Sequence, residues 1–421
     1  MATSPPASRK RFAADLRAAL DISSQATTTK RRQATSKIFG VWSDFCAEEG
    51  RTSTLRSLSR KEILCHLLVF GLRYRKGGQK SQPVRAGTVR DAITAVAKGF
   101  TDLDRPDPRV NPKTVKLHSV LTDFYRSMER VDDPASCSYP ANITILRELP
   151  SILDVDDPVL GYLQQHTIHL ITMAFFWLLR PAEYLSSPDA QSRSQAFRLC
   201  DVTFTIQNRV YSATDAPLHD DNRVPYTAAE FASRIDSASL TFSDQKNAVK
   251  GEQVGQCPTL DPLLCPVKAL GRIVHHLRTH NATHLTPLYM FYNAHPTVRA
   301  WSAIKPSFVT NALRHAANAC ALRTGIDPAL ISARSLRPGG ATALLCANVD
   351  KDAIMLLGRW KSDTMLRYLR IQAMTPGFSQ RMLDYGAYTF HPQAFRNQQP
   401  PVQAPPAIHA ILAHEELYDD A

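Results

Sequence analysis

Between Ile331 and Gln372 the chain reads ISARSLRPGGATALLCANVDKDAIMLLGRWKSDTMLRYLRIQ, three short helical patterns with polar residues at their joints. Arg334 and Arg337 stand just before a Pro-Gly-Gly break, and Arg359, Trp360 and Lys361 follow Gly358. Tyr368 falls one to two turns into a last helix that Ser362 or Asp363 can N-cap. Guanidiniums are permanent cations with a planar fork of donors, and an indole N–H donates without accepting. Fixed cations, an indole donor and a phenol brought together suit a phosphate better than a metal or an apolar ligand. A phosphate held beside a tyrosine points to phosphoryl transfer onto that tyrosine.

The elements that must position these groups follow from periodicity. From Ser36 to about Arg130 apolar residues recur at one-turn spacing: Ile38, Val41, Trp42 and Phe45; Ile63, Leu64, Leu67, Leu68 and Leu72; Val89, Ile93, Val96 and Phe100; Val120, Leu121, Phe124 and Met128. Four amphipathic helices of this kind predict a compact all-α module. Arg73, Arg75, Lys76 and Lys80 crowd a loop around Gly77-Gly78, and Arg85 and Arg90 enter the next helix. Such a cluster suits sequence-independent contacts to a nucleic-acid backbone. The turn-rich stretch Val131 to Pro140 breaks the helical period and reads as a linker.

After it, Ile143 to Leu153 and Tyr162 to Leu179 read as helices, the second apolar enough to be buried. It closes on Arg180, with Glu183 about one turn on. A buried guanidinium is expensive unless it meets a fixed anion or carboxylate, so the two form either a structural pair or an oriented anion-binding arginine. The period then falls to two at Val202, Phe204 and Ile206, at Val210, and at Leu240 and Phe242, which predicts a small antiparallel sheet with a polar insertion around His219 to Glu230. The turn Asp244 to Gly251 carries Lys246 and Lys250. A helix follows from Cys265 to about His280, and another from Phe308 to Leu322. His276, His280 and His284 are spaced four apart, but no carboxylate or cysteine completes a metal set nearby, and a structural reading is preferred.

The chain has 421 residues, 44% of them hydrophobic, enough for two packed domains. Its net charge is +12, and the first 140 residues hold 25 Lys and Arg against 14 Asp and Glu. That asymmetry points to a polyanionic partner. The eight cysteines form no C-x-x-C pair and read as reduced residues. Ile168 to Leu179, the most apolar run, is too short to span a bilayer, and no secretory leader is expected. Arg9-Lys10-Arg11 and Lys30-Arg31-Arg32 lie in a Ser/Thr/Pro-rich arm that reads as a disordered terminus, a nuclear-import signal or a DNA-contacting arm. From Phe390 the chain is Pro/Gln-rich, as a flexible tail is.

The order R-S-L-R-P-G-G-A-T, then L-L-G-R-W-K-S-D-T-M-L-R-Y, resembles the C-terminal signature of the tyrosine recombinases, the integrase family, in a form typical of eukaryotic mobile elements. The family's signature begins H-x-x-R, and Arg334 stands here in the histidine's place. The resemblance implies a mainly α fold with a small antiparallel β-sheet: a basic arm (1–33), an all-α core-binding domain (34–132), a linker (133–141), an α+β catalytic domain (142–392) and a tail (393–421).

It further implies DNA strand cutting and rejoining through a 3′-phosphotyrosyl intermediate. Tyr368 would be the nucleophile, ahead of Tyr385 and Tyr388. Arg180, in an L-R-x-x-E segment with Glu183, would join Arg337 on the phosphate, and Lys246, or else Lys250, would reach the DNA from a hairpin. The family's further donor falls on Arg359 by spacing to the tyrosine or on Trp360 by its indole, and both stay open. Arg334 can bind phosphate but cannot accept a proton at neutral pH, so the alternative implied is a catalytically impaired DNA-binding protein. The expected partner is double-stranded DNA, gripped by Arg73, Arg75, Lys76, Lys80, Arg85 and Arg90, with a homotetramer on DNA, no cofactor, no metal and a nuclear location.

Overall fold

The computed structural model describes residues 11, 14–19, 29–55, 57–78, 82–103, 105–133, 139–186, 195–243 and 251–360. Lys80, Lys246, Lys250, Lys361, Tyr368, Tyr385, Tyr388 and the Pro/Gln-rich tail lie outside them, as does most of the N-terminal arm. The fold is mainly α-helical with a small antiparallel sheet, as the sequence predicts.

Four helices build the N-terminal core: α1 (Thr29–Glu48), α2 (Arg60–Gly77), α3 (Ala86–Thr101) and α4 (Ser119–Val131). Their apolar stripes meet around Trp42, Leu67, Phe70, Ile93, Phe100 and Leu121 in one core. Ser59 starts α2 with a reciprocal capping box to Glu62. The inward stripe of α2 continues through Phe70, Gly71 and Tyr74, so Leu72, predicted inside, is exposed. Gly71 is required where the side chains of Ile93 and Phe124 press on the helix.

A second, separate core runs from Ala141 to Leu336. Helices α5 (Ile143–Ile152) and α6 (Gly161–Phe176) lead into a one-turn helix α7 (Pro181–Tyr184). Strands β1 (Val202–Ile206), β2 (Arg209–Ser212), β3 (Ile235–Phe242) and β4 (Glu252–Gln256) form an antiparallel sheet in the order β2-β1-β3-β4. Phe204 pairs with Ala238 and Leu240 with Val254, so the predicted alternation faces the core. The insertion between β2 and β3 contains a short helix, α8 (Ala228–Ser233). Beyond the sheet come α9 (Pro266–Thr279), a hairpin of β5 (Met290–Asn293) and β6 (Ala300–Ala303), then α10 (Pro306–Ala319), α11 (Ala321–Thr324), α12 (Leu336–Cys346) and α13 (Lys351–Gly358). The β5–β6 hairpin went unpredicted because its strands are short and only half-buried. Among the described residues no helix is long and apolar enough to cross a membrane.

Two joints depart from expectation in ways that shape the site. Helix α6 ends at Phe176, not Leu179, because Leu178 adopts a left-handed backbone (φ 51°). The Trp177 and Leu178 carbonyls are thereby turned out of the helical ladder. The Pro-Gly-Gly segment is no break: α12 runs through Pro338, Gly339 and Gly340. Proline sits in the first turn, where no intrahelical N–H is needed. The glycines let the helix approach its neighbours, since a Cβ at Gly339 would overlap the Ala141 carbonyl and one at Gly340 the Phe175 carbonyl and the Leu178 side chain.

Candidate active site

The turn after α6 is anchored from below. Trp177 Nε1 donates to the Val254 carbonyl at 2.9 Å, and the Gln256 side chain donates to the Phe176 carbonyl at 2.9 Å, tying the turn to β4. Arg180 then N-caps α7. Its backbone N–H donates to Glu183 Oε2 at 2.8 Å and its guanidinium to Oε1 at 2.7 Å. Glu183 is buried at 2% exposure, whereas the Arg180 side chain keeps 23% of its surface. The carboxylate thus holds one edge of a guanidinium that still reaches solvent.

Arg337, in the first turn of α12, is 4% exposed. It donates to the Leu178 carbonyl at 2.6 Å and to the Gly358 carbonyl. The Trp360 ring covers its guanidinium at 4.1 Å, a cation–π contact. Gly358 is needed here because any side chain would collide with that indole.

Arg359 ends α13 in a left-handed conformation (φ 57°), a position that glycine usually fills. Its guanidinium lies 3.8 Å from the centre of the Phe242 ring. It donates to the carbonyls of Trp177 (3.2 Å), Leu357 (3.2 Å) and Leu178 (3.3 Å), and to Glu183 Oε2 (3.2 Å). Burial pushes this guanidinium down to about 10, with Glu183 and Glu252 opposing the shift and Arg180 adding to it. Three arginines predicted far apart in sequence are therefore linked: Arg180 to Arg359 through Glu183, and Arg359 to Arg337 through the Leu178 carbonyl.

Arg334 precedes α12 in a 3₁₀ turn and is exposed. The Tyr184 hydroxyl fixes that turn by donating to the Ala333 carbonyl at 3.0 Å. The segment carrying Lys246 joins β3 to β4, whose pairing closes at Phe242 and Glu252. Lys246 itself and Tyr368 lie outside the described residues, so the convergence seen is of the arginines and Trp360. Phe242 and the Leu178 carbonyl were not singled out in the sequence. Phe242 reads there as a core strand residue, and a left-handed leucine leaves no sequence signal.

The basic cluster of the helical part is more engaged than its composition suggests. Arg73, Arg75 and Lys76 lie in the last turns of α2, not in a loop, because the chain leaves the helix only at Gly78 (φ 50°). Arg73 pairs with Glu49 at 2.7 Å and Glu48 at 3.4 Å, and Arg75 with Asp132 at 2.8 Å. Arg90 pairs with Glu129 at 2.5 Å. Lys76 and Arg85 are exposed.

A cavity of about 600 Å³ lies apart from these arginines, lined by Tyr162, His166, His169, Arg272, His276 and His280 among others. His166 Nε2 is 2.8 Å from the Leu288 carbonyl, and His276 Nε2 accepts from the Tyr292 N–H at 3.0 Å. Burial pushes His166 down to about 4 and His276 to about 3, so both are neutral at pH 7. Among the described residues no three His, Cys, Asp or Glu converge as a metal site.

No family model and no curated protein matches the sequence. Solved structures do. A lambda integrase (75–356) dimer bound to a COC′ core site is 12% identical, covering 85% of this chain and 95% of that one with a TM-score of 0.42. The Tn1549 transposon integrase with transposon right-end DNA is 13% identical over 77% and 85%, TM-score 0.40. The XerH site-specific recombinase bound to difH is 13% identical over 79% and 71%, TM-score 0.40. The structural neighbours of this chain are thus integrases and site-specific recombinases.

Proposed function

We propose that this protein cuts and rejoins duplex DNA in site-specific recombination, with Tyr368 attacking a phosphodiester to give a 3′-phosphotyrosyl link. The observation that carries this reading is the linkage of Arg180, Arg337 and Arg359 around one turn, in a chain whose motif order ends in Tyr368. As the tyrosine attacks, negative charge grows on the non-bridging oxygens, and guanidinium forks aimed there stabilise it. Arg180 and Arg337 take that role. Tyr368 reacts as its phenolate, which the neighbouring guanidiniums favour, its proton passing to solvent, and Lys246 protonates the departing 5′ oxygen. The covalent link conserves the bond energy, so a second 5′ hydroxyl reverses the step. Residues 34–132 and 142–392 act as the DNA-binding and catalytic parts.

The test mixes the protein with a pool of randomised, centrally nicked duplexes and recovers covalent adducts under denaturing conditions. Wild type is expected to form an adduct that Tyr368→Phe abolishes; an adduct surviving in the phenylalanine variant assigns the nucleophile elsewhere. A second reading, a DNA-binding protein without strand transfer, draws on Arg334, exposed and unable to act as a base. It predicts salt-sensitive duplex binding and no adduct from the whole pool.

A further inference from the structure

Arg359 stands where the family resemblance offers a donor to the phosphate, yet its surroundings describe another task. Its side chain is 1% exposed. Its two terminal nitrogens meet four acceptors on three elements: Trp177 and Leu178 in the turn, Leu357 on α13 and Glu183 on α7. The ring of Phe242, at the end of β3, closes one face. Only a planar fork can serve this set, because an ammonium is a point charge with three donors on a flexible stem.

We propose that Arg359 is a positioning residue, which fixes the Glu183 carboxylate and the Leu178 carbonyl so that Arg180 and Arg337 are held in one geometry. The inference rests on the reading that these two arginines grip a phosphodiester. Glu183 Oε2 is shared between the Arg180 backbone N–H and Arg359, while Oε1 holds the Arg180 guanidinium. Removing Arg359 frees the carboxylate to rotate, and Arg180 rotates with it. The Leu178 carbonyl likewise accepts from both Arg337 and Arg359, so losing one donor loosens the turn that seats the other.

The experiment compares full-length wild type with Arg359→Lys, both labelled with ¹⁵N-arginine. The Arg180 Nε–Hε signal, assigned by its loss in Arg180→Lys, is expected to become markedly more mobile in Arg359→Lys. Arg109, paired with Asp107 at 2.7 Å elsewhere, serves as a control that stays unchanged. Adduct formation on the nicked-duplex pool should fall on the order of 100-fold, the size of effect that an ångström of misplacement produces. Glu183→Gln should fall comparably, and the double variant no further than the worse single, because both act through one carboxylate. An Arg180 signal as ordered as in wild type, or losses that multiply in the double variant, would overturn the proposal. If Arg359→Lys does not fold, Phe242→Leu removes the ring beneath the guanidinium and carries the same test with the same expected direction. Should wild type form no adduct, the recombination reading falls, and the mobility of Arg180 alone decides whether Arg359 positions it.

Discussion

Arg337 shows what a buried cation needs from its immediate neighbours. Two backbone carbonyls and an aromatic face replace the water it loses on burial, and Trp360 supplies that face at 4.1 Å. A desolvated contact of this kind contributes about 1–2 kcal/mol. Trp360→Ala is therefore expected to lower unfolding free energy by at least that amount, as the packing of the indole is lost too, whereas Trp360→Phe keeps a ring and loses less. Chemical denaturation of the two variants measures the difference; equal losses would show that the ring face contributes nothing. Most of these side chains were legible as residue types. Arg180, Glu183, Arg337, Arg359 and Trp360 announce themselves by charge and order. Which of them point inward was not legible, because a motif fixes spacing along the chain and leaves orientation to the packing. Arg359 and Trp360 are adjacent in sequence, yet one guanidinium is sealed against Phe242 while the other residue lies over Arg337.

At the scale of elements, α12 is held by absence of side chain. Gly340 meets the Phe175 carbonyl and Leu178 at the end of α6, and a methyl group there must displace backbone. Gly340→Ala gains in helix propensity but should still destabilise by about 1–3 kcal/mol through overpacking, read as a lowered thermal midpoint. An unchanged midpoint would mean that the two helices can separate freely. The sequence suggested a break at this Pro-Gly-Gly because such residues usually punctuate helices. Here the proline is tolerated by its place in the first turn and the glycines by close contact, neither of which is local information. The long apolar periods of α2, α3, α5, α9 and α10 were legible because each buries one continuous stripe, and α6 because its second half is apolar and buried nearly all round. The ends of α6 and the β5–β6 hairpin were not, since a left-handed leucine and two short half-buried strands leave little pattern.

Across the whole molecule, the two cores differ in what they bury. The first packs aromatic and aliphatic side chains with Cys46 and Met128, while the second also encloses histidines around its cavity. His166 is held neutral down to about pH 4 and His276 to about 3, against an ordinary value of 6.5, with burial as the main cause. Arg272, His169, His275 and His280 line the same cavity; His166, His275 and His280 add to the shift of His276, and Tyr162 and Tyr292 are the nearby phenols. Because the unfolded chain binds these protons first, stability is fully present above about pH 6.5 and falls as pH drops from there towards the folded values. For His166 the loss near pH 5 is about 2 kcal/mol. Urea unfolding at pH 7.5 and 5 should show it, and His166→Gln, which can still donate to the Leu288 carbonyl, should flatten the decline; an unaltered acid limb would place the titration elsewhere.

One peptide oxygen has a consequence for how such a protein can change over time. Leu178 offers its carbonyl to Arg337 and to Arg359 at once, so the two cations are geared together. A substitution that nudges the turn shifts both forks in the same direction, and neither can be retuned while its companion stays put. Variation at this centre is then expected to arrive as coordinated replacements spread over the turn, the first residues of α12 and the end of α13, with solitary changes weeded out.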